Sequence, residues 1–148
     1  MVNIYIDSDV KGVKGKGWYG YVLEWKQGNE ILLTTDGFAP IEDTRNRIFL
    51  KATVEAMSRI KRPTELYIYE PCGYVSETIR TGKLEEWFLQ AWIKGDGHEI
   101  KNKDLWTQLL PLVKQWKPQM NTGTHCYSEW IRQEIEKKKE GNKEDGIK

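Results

Sequence analysis

The opening stretch Val2 to Gly20, VNIYIDSDVKGVKGKGWYG, constrains this chain most, because it sets a strand, an acidic strand end and a glycine-rich return in succession. Val2, Ile4 and Ile6 alternate with Asn3, Tyr5 and Asp7, the period of a half-buried strand, which puts Asp7 on the face of Tyr5 and Asn3. Gly12, Gly15, Gly17 and Gly20 then punctuate a lysine-bearing loop before Trp18 to Trp25 resume as strand. Glycine is what a tight return needs where positive φ or close backbone approach is required. The reading is strand, turn and antiparallel strand, with a carboxylate where the first strand stops.

A chain of 148 residues suits one domain with a sizeable core. Seven tryptophans and seven tyrosines make that core aromatic-rich. A net charge of +1 gives little global attraction to nucleic acid, so a duplex binder of this composition needs a local basic patch. Cys72 and Cys126 lack metal-site spacing, and no apolar leader or membrane span stands out. The expectation is a cytoplasmic protein with free thiols and no membrane contact.

Further along, Gln27-Gly28-Asn29 turns the chain into a third strand at Ile31 to Thr35. Asp43-Thr44 precedes a helix from Arg45 to Arg62, with Phe49, Ala52, Ala56 and Ile60 at helical spacing, and Pro63 ends it. Leu66 to Glu70 is a fourth strand, broken by Pro71-Cys72-Gly73. Short helices follow at Tyr74 to Arg80 and Leu84 to Trp92. Leu105, Leu109, Leu112 and Val113 give the next helix its apolar face, and Pro111 is expected to end or kink it. Gln119 to Thr122 offers a stub of strand. Tyr127, Trp130, Ile131 and Ile135 form the buried side of the last helix. Residues 1–135 are read as the domain and 136–148 as a charged tail that frays.

Asp7-Ser8-Asp9 followed by Gly12, Gly15, Gly17, Tyr19 and Gly20 resembles the opening of the ribonuclease H family, type 1. Trp87, Trp92 and Lys101-Asn102-Lys103-Asp104-Leu105-Trp106 stand in that family's spacing. The resemblance spans roughly residues 2 to 135 and thins after Val113. It implies an α/β ribonuclease H-like fold: a mixed sheet of about five strands, three antiparallel and then parallel, with a short or missing last strand and helices on both faces.

The resemblance also implies cleavage of the RNA strand of RNA/DNA hybrids by two Mg²⁺ ions in a cage of four carboxylates. Two hard dications close together need several anionic oxygens. Asp7 stands at the first position, with Asp9 two residues on. After the Thr44-Arg45-Asn46-Arg47 helix entry, Phe49 occupies the second, and Glu55 is six residues too late, roughly 9 Å of helix rise. Pro71 occupies the third, and Glu70 beside it faces the other side of the strand unless a bulge turns it. Ser128 occupies the fourth, with Glu129 about 100° further round the helix. Two outcomes follow: hydrolysis is impaired and no cofactor is needed, or Asp7, Asp9, Glu70 and Glu129 form a rearranged catalytic cluster with Mg²⁺ or Mn²⁺.

Binding can outlast cleavage, because a duplex is gripped through phosphates without metals. Arg45, Asn46 and Arg47 keep an entry resembling the family's minor-groove contact, and Lys11, Lys14 and Lys16 add charge on the first glycine loop. The "handle" between Trp87 and Trp92 reads Phe88-Leu89-Gln90-Ala91, apolar where a basic handle carries lysine and arginine. If Phe88 and Leu89 are exposed, they offer a patch for a protein partner or self-association. Trp87, Trp92 and Trp106 read as packing between helices, His98 and His125 as ordinary histidines, and Lys137 to Lys139 as a solvated helix end. RNA/DNA hybrid or another nucleic acid is the leading partner class.

Overall fold

The computed structural model describes the backbone of residues 1–147 and the side chains of residues 1–141. Five strands, β1 (Val2–Ser8), β2 (Lys14–Gln27), β3 (Glu30–Thr44), β4 (Leu66–Glu70) and β5 (Gln119–Thr122), form one sheet in the order β3-β2-β1-β4-β5. β2 pairs antiparallel with β1 and β3, whereas β4 pairs parallel with β1 and with β5. The helices are α1 (Arg45–Ser58), α2 (Gly73–Arg80), α3 (Lys83–Leu89), α4 (Lys103–Trp116) and α5 (Ser128–Ile147). This is the α/β ribonuclease H-like architecture expected, with the short fifth strand present at Gln119–Thr122.

β1 is buried along its whole length, not on one face as its alternation suggests. It is the central strand. Val2, Ile4 and Ile6 pack into the large core with Ile48, Phe49, Ala52 and Ala56 of α1 and Trp106 and Leu109 of α4. On the other face Tyr5 joins Val22 of β2 and Ile131 and Ile135 of α5. With a layer on each side, a strand's polar-phase positions are buried too.

β3 runs far beyond Thr35, pairing with β2 along its length to Lys14↔Thr44. Gly37 and Pro40 lie within it, and β3 is an edge strand, which tolerates proline. Gly15, Gly17 and Gly20 accordingly lie within β2, not in a loop. Gly12 alone of that group has a positive φ, at 79°. Gly20 serves close approach: a Cβ there would press into the Phe38 ring and Ile131.

Thr44 caps α1, its Oγ1 accepting from the N–H of Arg47 at 3.2 Å. The helix stops at Ser58, four residues before Arg62, where the N–H of Arg59 turns back to Ala56 and that of Ile60 to Met57, and the residue before Pro63 disfavours α geometry. α4 continues through Pro111. Thr107 and Pro111 are exposed, so water can satisfy the carbonyl that loses its donor, while Trp106, Leu109 and Leu110 hold the inner face. α3 ends at Leu89, and Ala91 and Trp92 take φ of 56° and 63°. α5 carries on past Glu136, where fraying is expected, and Lys139 forms an ion pair with Asp9. Lys148 lies outside the described residues. No described helix is long and apolar enough to cross a membrane.

Candidate functional site

Asp7, next to last in β1, is fully buried on the face of α5. Its Oδ1 accepts from the N–H of Ser8 at 2.7 Å and from the Arg132 guanidinium of α5 at 3.4 Å. Its Oδ2 is buried with no partner among the described residues. Asp9 is turned to other work: Oδ1 accepts from the N–H of Trp18 at 2.8 Å, closing the hairpin, and Oδ2 pairs with Lys139. That pairing holds the Lys139 proton more tightly than usual.

Phe49 is fully buried, and the Arg45 guanidinium lies 4.7 Å from its ring centroid. The same guanidinium donates to the carbonyl of Val10 at 3.1 Å. Arg45 and Arg132 line one cavity of about 440 Å³ with Lys11, Glu136 and the turn from Ser8 to Gly12.

Glu70 does not join Asp7. The parallel register pairs Ile4 with Ile68 and Tyr5 with Tyr69, so one step further Glu70 stands beside Ile6 and faces the opposite side of the sheet from Asp7. It is fully buried, accepting from the N–H of Cys72 at 2.6 Å and of Ser76 at 3.1 Å, at the amino end of α2. Burial pushes its carboxyl up to about 7 against those hydrogen bonds. Glu129 is exposed and receives only Gln133, at 3.3 Å. Ser128 accepts from the N–H of His125 at 2.9 Å. His125 receives the N–H of Tyr127 at Nδ1 and donates from Nε2 to the Ile6 carbonyl at 2.7 Å, and burial lowers its affinity for a second proton. The four-acid cluster of Asp7, Asp9, Glu70 and Glu129 is therefore not assembled in this structure.

Of the expected nucleic-acid contacts, Lys14 and Lys16 are exposed, on β2 and not in the loop. Lys14 pairs opposite Thr44, beside the start of α1. Asn46 is exposed, its Oδ1 accepting from the Cys72 thiol at 3.4 Å. Arg47 is committed within the protein: two bonds to Asp104 at 2.9 and 2.8 Å, one to Asp43 at 3.1 Å and one to Asn102 at 3.1 Å. Phe88 and Leu89 are 50% and 80% exposed, with Lys114 4.8 Å from the Phe88 ring. Trp106 is buried edge-on to Trp87 and donates to the Tyr74 hydroxyl at 3.0 Å, which is core packing.

Residues 1–142 match the family model described as RNase H. The chain belongs to the ribonuclease H family. It is 34% identical over 114 residues to a Ribonuclease H of Thermoanaerobacter sp., covering 77% of this chain and 71% of that protein. A Ribonuclease H of Caldanaerobacter subterraneus is 33% identical over a segment of the same length, 72% of its own chain. Among solved structures the fold is similar to a type 1 RNase H with the type 2 active-site motif, at TM-score 0.69 and 19% identity over 89% of this chain and 68% of that one. It is also similar to LC11-RNase H1 in complex with RNA/DNA hybrid, at TM-score 0.61 and 13% identity over 93% and 98%.

The Mg²⁺ pair associated with the ribonuclease H family does not suit the side chains present here. At the four positions assigned above stand one carboxylate already on a guanidinium, a buried phenyl ring, a proline and a hydroxyl. Among the described residues no group of three or more His, Cys, Asp or Glu could hold a metal ion. Arg132 escaped the sequence reading, although it lies one turn past Ser128 on the same helical face. Lys138 and Lys139 are not simply solvated either: Lys138 lies 4.9 Å from the Phe38 ring and Lys139 anchors to Asp9.

Proposed function

We propose that this ribonuclease H-family protein binds nucleic acid of the RNA/DNA hybrid class and does not cleave it by a two-ion mechanism. The observation that carries this reading is the buried Phe49 ring with the Arg45 guanidinium over it, a fixed cation beside the end of β1. Phosphate recognition tolerates this exchange, because a guanidinium binds a phosphate oxygen as a metal does, whereas activation of water by paired ions does not. Relatives named Ribonuclease H and a similar fold solved with RNA/DNA hybrid support hybrid as the ligand. The free Cys72 and Cys126 suit a reducing compartment such as the cytoplasm.

The test is a labelled hybrid incubated with the protein in Mg²⁺ and in Mn²⁺, with Asp7→Asn alongside, together with hybrid binding across a salt series. Binding that weakens with salt and no cleavage in either metal is the expected result. Cleavage abolished by Asp7→Asn overturns it and restores the reading of a working nuclease with a rebuilt site.

A second reading, docking of a protein partner or a second copy on the handle, is favoured by the exposure of Phe88 and Leu89. A concentration-dependent dimer lost in Phe88→Glu supports it, and a monomer at every concentration removes self-association.

A further inference from the structure

The cavity at the end of β1 brings together two guanidinium groups from different helices. Arg132 rises from α5 and Arg45 from α1, on opposite sides of the sheet, and both reach the turn from Ser8 to Gly12. A guanidinium carries five N–H donors. Among the described residues Arg45 spends one on Val10 and Arg132 one on Asp7. Resting on this hybrid-binding reading, we infer that the cavity seats a phosphate diester of a nucleic-acid strand directly on the Arg45 and Arg132 guanidinium groups, with no metal ion between.

Guanidinium and phosphate match in fork geometry, and two forks on one phosphate fix its position as well as its charge. Arg132 also shields the incoming anion from the Asp7 carboxylate beneath it. Asp9 at the rim is held by Lys139, and the exposed Lys11 adds a charge at the mouth. Glu136, one turn beyond Arg132, is the opposing charge in the lining, and its removal favours the ligand.

The experiment is the affinity of a short labelled RNA/DNA hybrid in EDTA and in Mg²⁺, for the wild type and for Arg45→Gln, Arg132→Gln and Glu136→Gln. Chloride and inorganic phosphate buffers of matched ionic strength form two further arms. The expected result is a wild-type Kd equal in EDTA and Mg²⁺ within about twofold. Each arginine variant is expected to weaken binding by about fivefold and to lower the slope of log K against log salt by about one. Glu136→Gln tightens it. Inorganic phosphate leaves hybrid affinity unchanged, because the seat takes the diester of a docked strand; competition by free phosphate overturns that choice of ligand. Loss of wild-type binding in EDTA, or unchanged affinity in both arginine variants, overturns the site while leaving hybrid binding in place. No wild-type binding in any buffer overturns hybrid binding as well. Thermal melts accompany each variant, and Arg132→Gln, altering a half-exposed side chain, decides the matter if Arg45→Gln fails to fold.

Discussion

Arg45 and Phe49 stand one helical turn apart on α1, the guanidinium 4.7 Å from the ring centroid. The ring beneath is sealed in the core. Phe49→Ala therefore removes a filled volume and is expected to cost about 3–5 kcal/mol in urea unfolding. Phe49→Glu supplies one of the acids lacking in the family's pattern, yet leaves Pro71 and Ser128 in place. It is expected to show no Mg²⁺-dependent cleavage of a labelled hybrid; cleavage by this single variant would mean that two carboxylates suffice.

Glu70 at the amino end of α2 sets a pH dependence. Its folded pKa, near 7, lies above its unfolded value, so the native state binds the extra proton. Its contribution to stability is greatest below the unfolded pKa of about 4.3. That contribution falls as pH rises through the folded pKa, by an amount on the order of 3 kcal/mol at most. Urea midpoints at pH 5 and pH 8 for wild type and Glu70→Gln check this. The wild type should lose more stability than the variant between the two values.

The fork between Arg47 and Asp104 joins α1 to α4, and it holds the Asp104 carboxyl below its usual range. Asp104 is 60% exposed, so solvent screens the pair. A double-mutant cycle with Arg47→Ala and Asp104→Ala is expected to give about 0.5–1 kcal/mol of coupling at neutral pH. The depressed pKa means that this coupling is present above the unfolded pKa and fades in acid as Asp104 is protonated. Coupling that persists with Asp104 protonated would contradict the assignment.

Ala91 is exposed at φ 56°, a conformation that costs an L-residue about 1–2 kcal/mol. Glycine removes that cost but gives the unfolded chain more freedom, about 0.4–1 kcal/mol. Ala91→Gly is thus expected to raise stability by about 0.5 kcal/mol in chemical denaturation. A loss of 1 kcal/mol or more would show that this loop is not held in the left-handed region.

Much of the framework was legible in the residues because it depends on local patterns: the alternation of β1, the Asp43-Thr44 entry to α1, the Gln119–Thr122 stub. The side on which Glu70 falls was also readable, since strand side chains alternate and its register differs by one from Pro71. The boundaries of β3 and α4 were not: the third strand was read as stopping at Thr35, and Pro111 reads as a break but is tolerated where an exposed face leaves the missing donor harmless.

The amino-acid sequence by itself determined which residue types the resemblance assigns to the acid positions, Asp7, Phe49, Pro71 and Ser128, and that the first of them lies near the end of β1. Only the tertiary structure decided which cations gather there. Arg45 and Arg132 are far apart in the chain and on different helices, and Arg47, itself one of the expected contacts, is spent on Asp104. The pattern of one strand or helix reveals which face a side chain takes. Which charges meet across a sheet depends on the packing of α1 and α5 over its two faces, and no local period encodes it.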